Sequence, residues 1–141
     1  EKNVSTLDTW LTSLFTSRHL WPDVYLKHLT KVIGTIGQHG NALIVGRGAQ
    51  FILPLEQTFR LRFIAPLEQR IAKVMKDRKY NRDEAEGYVI KTEADRAAFI
   101  KKYFREDIAD PSHYDLVLNT AGLSVDQAAE IAKASFRAKF P

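Results

Sequence analysis

Residues 42–48 read Ala-Leu-Ile-Val-Gly-Arg-Gly, and the four residues that open this segment are apolar at every position. A strand with one face in water alternates apolar and polar residues, whereas a strand that is covered on both faces is apolar throughout. Strands covered on both faces belong to parallel sheets with helices on each side. The two glycines then end the strand in a turn. Residues 42–48 therefore predict an α/β fold.

Two further strands are predicted downstream, at residues 59–65 and 114–118. In the first of them Arg60 and Arg62 alternate with apolar residues, as expected for the two-residue period of a strand. Helical periodicity precedes, separates and follows the three strands, and strands that alternate with helices are typical of right-handed crossovers in a parallel sheet. The predicted fold class is α/β, a parallel sheet with flanking helices.

The helices are predicted from their apolar spacing and their caps. Apolar residues recur at helical spacing in residues 7–15, and a second helix should begin at Pro22, at the position where a missing N–H costs nothing. Further helices should begin at Pro66, Asn81 and Ser124. The second helix is expected to bury Tyr25, Leu29, Val32, Ile33 and Ile36. The helical segment from Asn81 to about Phe104 is expected to break near Gly87 and Thr92, and Phe104 is expected to be a core residue.

Composition limits the classes of function. The chain has 141 residues, no Cys and a net charge of +4. It shows no linker or internal repeat, so residues 1–141 are predicted to form one α/β domain. The absence of Cys fits a reducing compartment, so the predicted location is the cytoplasm. No segment is apolar for the roughly 20 residues that span a bilayer, and the positive charge is too interspersed with acids to indicate a nucleic-acid arm. The four His residues lack metal-ligand spacing, so no metal site is predicted.

Arginine and lysine are concentrated after the predicted strands and on the helical segment that follows the second of them. Guanidinium groups match phosphate oxygens bidentately, which predicts a phosphate-rich ligand. Parallel sheets bind ligands beyond the carboxyl ends of their strands. Residues 46–48, 65–66 and 119–120 each follow a strand, so they are expected to face one cleft.

Three blocks in this order resemble the cytidylate-kinase-like kinases. The blocks are residues 42–49, residues 62–70, which read Arg-Phe-Ile-Ala-Pro-Leu-Glu-Gln-Arg, and residues 114–120, which read Tyr-Asp-Leu-Val-Leu-Asn-Thr. The resemblance implies a P-loop NTPase fold of the nucleoside monophosphate kinase type, incomplete at the N-terminus. It also implies transfer of the γ-phosphoryl group of ATP, with Mg²⁺, to a nucleoside monophosphate, of which CMP is one candidate.

The resemblance also assigns roles to residues. A helical lid would cover about residues 67–106, and the loop after the last strand would border the base of the donor nucleotide. The catalytic residues would be Arg70, Arg96 and Arg105, the acceptor-binding residues Gly46, Arg47, Gly48 and Asp95, and the ATP-binding residues Asn119 and Thr120. Each role has a structural alternative. Arg47 would be a solvated side chain, and the charged residues of the lid would form a solvent-exposed helix face. The Asn119-Thr120 segment would only cap a helix.

The sequence departs from the family pattern at two places. Gly48 stands where cytidylate kinases have Asp after Gly-Arg, so a preference for cytidine does not follow from this segment. No Gly-x-x-x-x-Gly-Lys-Ser/Thr segment occurs in the 141 residues, so this chain alone is not expected to phosphorylate a nucleotide.

In the family the strand that carries this loop lies between the first two strands predicted here. Its absence should leave a slot of roughly 10 Å, about two strand spacings. An N-terminal piece, a strand from a partner chain or another copy of this chain, or a rearranged sheet would fill the slot. The start at Glu1 rather than Met favours the first. Two other functions stay open, namely a non-catalytic nucleotide-sensing or assembly module derived from the kinase fold, and a basic nucleic-acid binder, which would need Lys and Arg on one face.

Overall fold

The computed structural model describes residues 24–141. In chain order it contains α1 (Val24–His39), α2 (Ala49–Ile52), β1 (Leu61–Ile64), α3 (Leu67–Arg78), α4 (Arg82–Phe104), β2 (Leu116–Asn119) and α5 (Val125–Lys139). Short 3₁₀ turns lie at Leu55–Gln57 and Pro111–His113. The helix predicted over residues 7–15 lies outside the described residues. No helix between residues 24 and 141 is long and apolar enough to cross a membrane.

The described chain divides into two compact units. The first unit contains residues up to Thr58 together with Ile100–Glu106, and therefore α1, α2 and the last turn of α4. The second contains Phe59–Phe99 and Asp107–Pro141, with both strands, α3, most of α4 and α5. The assignment of residues 1–141 to one domain stays a prediction.

The second unit is built on a parallel pair of strands. Leu61 of β1 lies opposite Leu116 of β2, and the register continues to Ile64 opposite Asn119. Helices flank this pair, which confirms the mixed α/β class with a parallel sheet. Both strands form where alternation predicted them, although β1 is shorter than residues 59–65 and β2 begins two residues later than predicted.

The strand predicted over residues 42–45 is not formed, and this prediction was wrong. Among the described residues no strand pairs with this segment, and Leu43 and Val45 are 94% and 86% exposed. A strand needs a neighbouring strand to satisfy its N–H and C=O groups, so apolar sequence alone does not produce one. The continuous apolar run predicted a strand buried on both faces, and the described residues do not cover this segment.

Helix α1 buries only part of the predicted face, since Ile33 is buried as predicted and three other residues of that face are exposed. Leu26, Thr30, Ile33 and Gly34 are buried, whereas Tyr25, Val32 and Ile36 of the predicted face are 43%, 57% and 38% exposed. Apolar residues occur on more than one side of this helix, so their spacing predicts the helix without fixing its rotation. The buried Thr30 could not be recognised as a core residue from its polarity.

Helices α3 and α4 share a buried cluster in the second unit. Ile71, Ala85 and Val89 form the buried cluster between them, and Val74, Met75 and Tyr80 pack against it. Asn81 and Glu84 each accept a hydrogen bond from the backbone N–H of the other, both at 2.9 Å, which confirms the predicted helix start.

The predicted break in the middle of α4 does not occur. The helix continues through Gly87 and Thr92 to Phe104. A glycine in a helix interior costs about 1 kcal/mol relative to alanine. Burial of Ala85 and Val89 before this region and of Ile100 after it stabilises the continuous helix and exceeds that cost.

Asp115 connects three elements at the amino ends of the strands. Its carboxylate accepts the backbone N–H of Arg60 at 2.7 Å, the Arg60 guanidinium at 3.3 and 3.4 Å, and the Lys139 ammonium at 3.0 Å. Arg60 precedes β1, and Lys139 is the last residue of α5. Burial alone would raise the pKa of Asp115, but the hydrogen bonds from Arg60 and Lys139 outweigh it and hold the pKa below its usual value.

Replacement of Asp115 by Asn should lower the free energy of unfolding by about 1–2 kcal/mol at neutral pH, because the charged hydrogen bonds are weakened. A lowered pKa in the folded state makes this contribution complete above the unfolded pKa of about 3.8 and removes it as the pH falls through the folded pKa. The difference in the free energy of unfolding between wild type and Asp115→Asn should therefore become smaller as the pH falls into the acid range. Denaturant unfolding over a pH series measures this difference. Asp77→Asn, which removes the exposed pair with Lys73, is the control and should show no comparable loss. A gap that stays constant into strong acid would contradict this account.

Candidate functional site

The carboxyl ends of β1 and β2 lie side by side in the second unit. Thr120, which follows β2, donates its backbone N–H to the Ile64 carbonyl of β1 at 2.8 Å and its hydroxyl to the same oxygen at 3.2 Å. The segments that leave the two strands therefore share one edge of the sheet. Of the three segments expected to face one cleft, the structure brings residues 65–66 and 119–120 together, whereas residues 46–48 belong to the first unit.

Arg70 is held at this edge by two contacts. It lies in the first turn of α3, where its Nε donates to the Ala65 carbonyl at 3.0 Å and its Nη1 donates to the Glu93 carboxylate of α4 at 3.1 Å. The side chain is 34% exposed. Arg70 is therefore a cation fixed in orientation at the carboxyl end of β1 and still reached by solvent. Glu93 was not identified from the sequence, because 23 residues separate it from Arg70.

Asn119 and Thr120 use their side chains in the turn that leads to α5. The Asn119 side-chain oxygen accepts the Ala121 N–H at 3.0 Å, and the Thr120 hydroxyl is bonded to Ile64. Ser124 and Gln127 then form the predicted capping box of α5. These contacts explain the local conformation, and a role for Asn119 and Thr120 at the base of ATP stays a prediction.

Asp95 and Arg96 differ in their contacts although they are neighbours on α4. Asp95 accepts a hydrogen bond from Lys91 one turn earlier at 2.6 Å, and both side chains are exposed. The Arg96 side chain is exposed and makes no hydrogen bond or ion pair with any of residues 24–141. Asp95 therefore carries a charge that Lys91 balances, whereas Arg96 is available to an anion.

Three consecutive residues of the first unit adopt left-handed backbone conformations. The φ angles of Gly46, Arg47 and Gly48 are 76°, 58° and 70°. Glycine reaches such angles at little cost, whereas a residue with a side chain loses roughly 1–2 kcal/mol. Strain of this kind persists where surrounding structure imposes it, often at functional sites. The exposed Arg47 side chain has no hydrogen bond or ion pair within residues 24–141.

Gly48 is packed against the ring of Phe104. A Cβ atom at Gly48 would lie 2.1 Å from Cε2 of that ring, which is far inside contact distance. Phe104 is 5% exposed, which confirms it as a core residue, and it stacks on Phe51 with 5.2 Å between the ring centroids. Position 48 therefore has no room for a side chain while the Phe104 ring stays in place.

Arg105 follows Phe104 directly and lies just beyond the end of α4. Its φ of 59° is left-handed, and its backbone N–H donates to the Lys101 carbonyl at 3.1 Å, so it forms the C-terminal cap. The side chain is exposed and has no hydrogen bond or ion pair within the described part of the chain. Arg105 belongs to the same unit as Arg47.

The donor set of the described residues suits an anion better than a metal ion. Arg47, Arg96 and Arg105 offer exposed guanidinium groups that match phosphate oxygens. Within residues 24–141 no group of three or more His, Cys, Asp or Glu side chains could hold a metal ion. The exposed guanidinium groups therefore match the oxygen atoms of a phosphate group.

Gly46→Ala and Gly48→Ala form a matched pair that separates backbone strain from packing. Both positions have positive φ, but a Cβ at Gly46 would meet nothing within 4 Å. Gly46→Ala should cost about 1–2 kcal/mol of unfolding free energy, and Gly48→Ala should cost about 1–3 kcal/mol more because the methyl group overlaps Phe104. Denaturant unfolding measures both losses. Equal losses in the two variants would show that the Phe104 contact is absent.

The sequence matches the cytidylate kinase-like family over residues 1–122, which is most of its length. It is also similar to the cytidylate kinase of Methanocaldococcus jannaschii, with 31% identity over 94 residues that cover 64% of this chain and 53% of that protein. The chain thus spans about half the length of the curated relative that it matches. The match over residues 1–122 shows that the chain belongs to the cytidylate kinase-like family.

Proposed function

We propose that the full-length protein is a nucleoside monophosphate kinase that transfers the γ-phosphoryl group of ATP to a nucleoside monophosphate, with CMP as the first acceptor to test. The observation that carries the proposal is the exposed, unpaired Arg47, held at positive φ between two glycines in a member of this family. Such a guanidinium is suited to binding the phosphate of the acceptor.

The proposal includes the fold and the parts of the active site that this chain supplies. The fold is that of the P-loop NTPases, with residues 67–106 as the helical lid. The 141 residues contain no Gly-x-x-x-x-Gly-Lys-Ser/Thr segment, so the proposal assigns to this chain the acceptor-binding loop, the lid and the border of the donor base. The support is the parallel β1–β2 pair with its flanking helices and the α3–α4 pair.

Phosphoryl transfer depends mostly on positioning and on neutralising charge, because the reacting groups are anions. In the proposed reaction Gly46 and Gly48 set the backbone of the loop from which Arg47 binds the acceptor phosphate. Arg70, Arg96 and Arg105 stabilise the charge on the phosphoryl group in transit. Asp95 lies beside Arg96, and residues 119 and 120 border the base of ATP. ATP supplies the phosphoryl group, and no step is assigned to Mg²⁺.

A non-catalytic nucleotide-sensing module is the alternative, and no contact in the structure favours it over the enzyme. The two differ in one measurable respect, since the module binds nucleotides without converting them. An assay of ADP formation with ATP and a panel of nucleoside monophosphates, run beside calorimetric binding of the same nucleotides, separates them. Binding without turnover for every acceptor would exclude the kinase.

Arg47→Ala and Arg96→Ala in the full-length protein should each lower turnover by about 10²-fold or more, as expected when one preorganised donor to a transition state is removed. Arg82→Ala is the control, because Arg82 is also an exposed arginine on α4 but is bound to Glu68 at 2.9 and 3.0 Å. It should retain activity close to wild type. Steady-state rates of the three variants test these roles. Full activity in both Arg47→Ala and Arg96→Ala would show that neither arginine takes part in phosphoryl transfer.

A further inference from the structure

We infer that Phe104 is a positioning residue for anion binding, because its ring fills the space of a side chain at position 48 and thereby holds Arg47 and Arg105 so that both bind one phosphate group. The inference rests on the proposed function, which assigns Arg47 to the acceptor phosphate and Arg105 to the phosphoryl group in transit, and it adds that both contact one inorganic phosphate when no nucleotide is bound. It adds the residue that links them and explains why the acceptor loop carries Gly48.

The link is a rigid contact between the acceptor loop and the end of α4. The Phe104 ring lies against the backbone of Gly48 on one side and stacks on Phe51 on another. Phe104 and Phe51 are 5% and 8% exposed. A buried ring with neighbours on two sides has little freedom to move, so the loop cannot shift from α4 without losing this packing.

The two arginines are the immediate chain neighbours of the residues in this contact. Arg47 precedes Gly48 and Arg105 follows Phe104, and consecutive Cα atoms lie only about 3.8 Å apart. Both arginines have positive φ, 58° and 59°, and both side chains are exposed. The contact between Gly48 and Phe104 therefore fixes the backbone positions from which both arginine side chains extend.

Neither guanidinium has a counter-ion among the described residues. Arg47 and Arg105 form no side-chain ion pair within residues 24–141, in contrast to Arg60, Arg70 and Arg82, which all pair with carboxylates. An anion that contacts both guanidinium groups would gain charge-assisted hydrogen bonds from each of them. A phosphate group has the charge and the oxygen atoms for this role.

The test is calorimetric titration of inorganic phosphate into the full-length protein and two variants of the last turns of α4. Phe104→Ala removes the ring beside Gly48. Ile100→Ala removes a side chain that is 3% exposed in the same unit and is the matched control for loss of core packing. Well below the melting temperature of each protein, Phe104→Ala should bind phosphate about tenfold more weakly or worse, whereas Ile100→Ala should bind as wild type does.

A second comparison distinguishes positioning from general loosening. If Phe104 acts through the arginines, Arg105→Ala should weaken phosphate binding less in the Phe104→Ala background than in the wild type, because the two changes affect one interaction. Phe104→Leu, which keeps an apolar side chain but no ring, replaces Phe104→Ala in both comparisons if the alanine variant does not fold.

The outcomes separate this inference from the proposed function. Wild-type affinity in the Phe104 variant, additive losses in the double variant, or a wild-type protein without affinity for phosphate would each overturn the inference. Phosphate binding that depends on Phe104 in a protein that phosphorylates no nucleoside monophosphate would uphold it and remove the kinase. Turnover of CMP by a Phe104→Ala variant with unchanged phosphate affinity would uphold the kinase and remove the inference about Phe104.

Discussion

The parallel pairing of β1 with β2 is the constraint on which the second unit depends. A parallel ladder places both carboxyl ends at the same edge, and the register from Leu61–Leu116 to Ile64–Asn119 makes the two ends level. Asp115 fixes the opposite edge through Arg60 and Lys139. The position of Arg70 follows from this pairing, because its Nε is bonded to the carbonyl one residue beyond β1.

Six of the arginines among residues 24–141 fall into two classes with different contacts. Arg60, Arg70 and Arg82 are bound by carboxylates and stabilise or orient the chain. Arg47, Arg96 and Arg105 are exposed without such partners among residues 24–141, and two of them sit on backbone with positive φ. The positive φ of Arg105 belongs to the C-terminal cap of α4, whereas Arg47 adopts a positive φ between two glycines.

Local features were predictable from the sequence, and contacts between distant residues were not. The caps at Asn81 and Ser124 and the position of β1 depend on neighbours within a few residues, and each was predicted correctly. The burial of β1 does not alternate, since Phe63 and Ile64 are both exposed. The contact of Gly48 with Phe104 joins residues 56 positions apart, so no local pattern in the sequence predicts it. Residues 42–45 failed as a strand for the same reason, since a strand depends on a partner that its own sequence does not specify.

The proposed function requires that ATP bind at the edge formed by the carboxyl ends of β1 and β2. Hydrogen–deuterium exchange at residue resolution, with and without ATP and CMP, measures this directly in the full-length protein. The account predicts slower exchange in residues 65–70 and 119–121, with the amides of Arg60 and Asp115 at the opposite edge unchanged. Protection confined to that opposite edge, or none in either carboxyl-terminal segment, would contradict it.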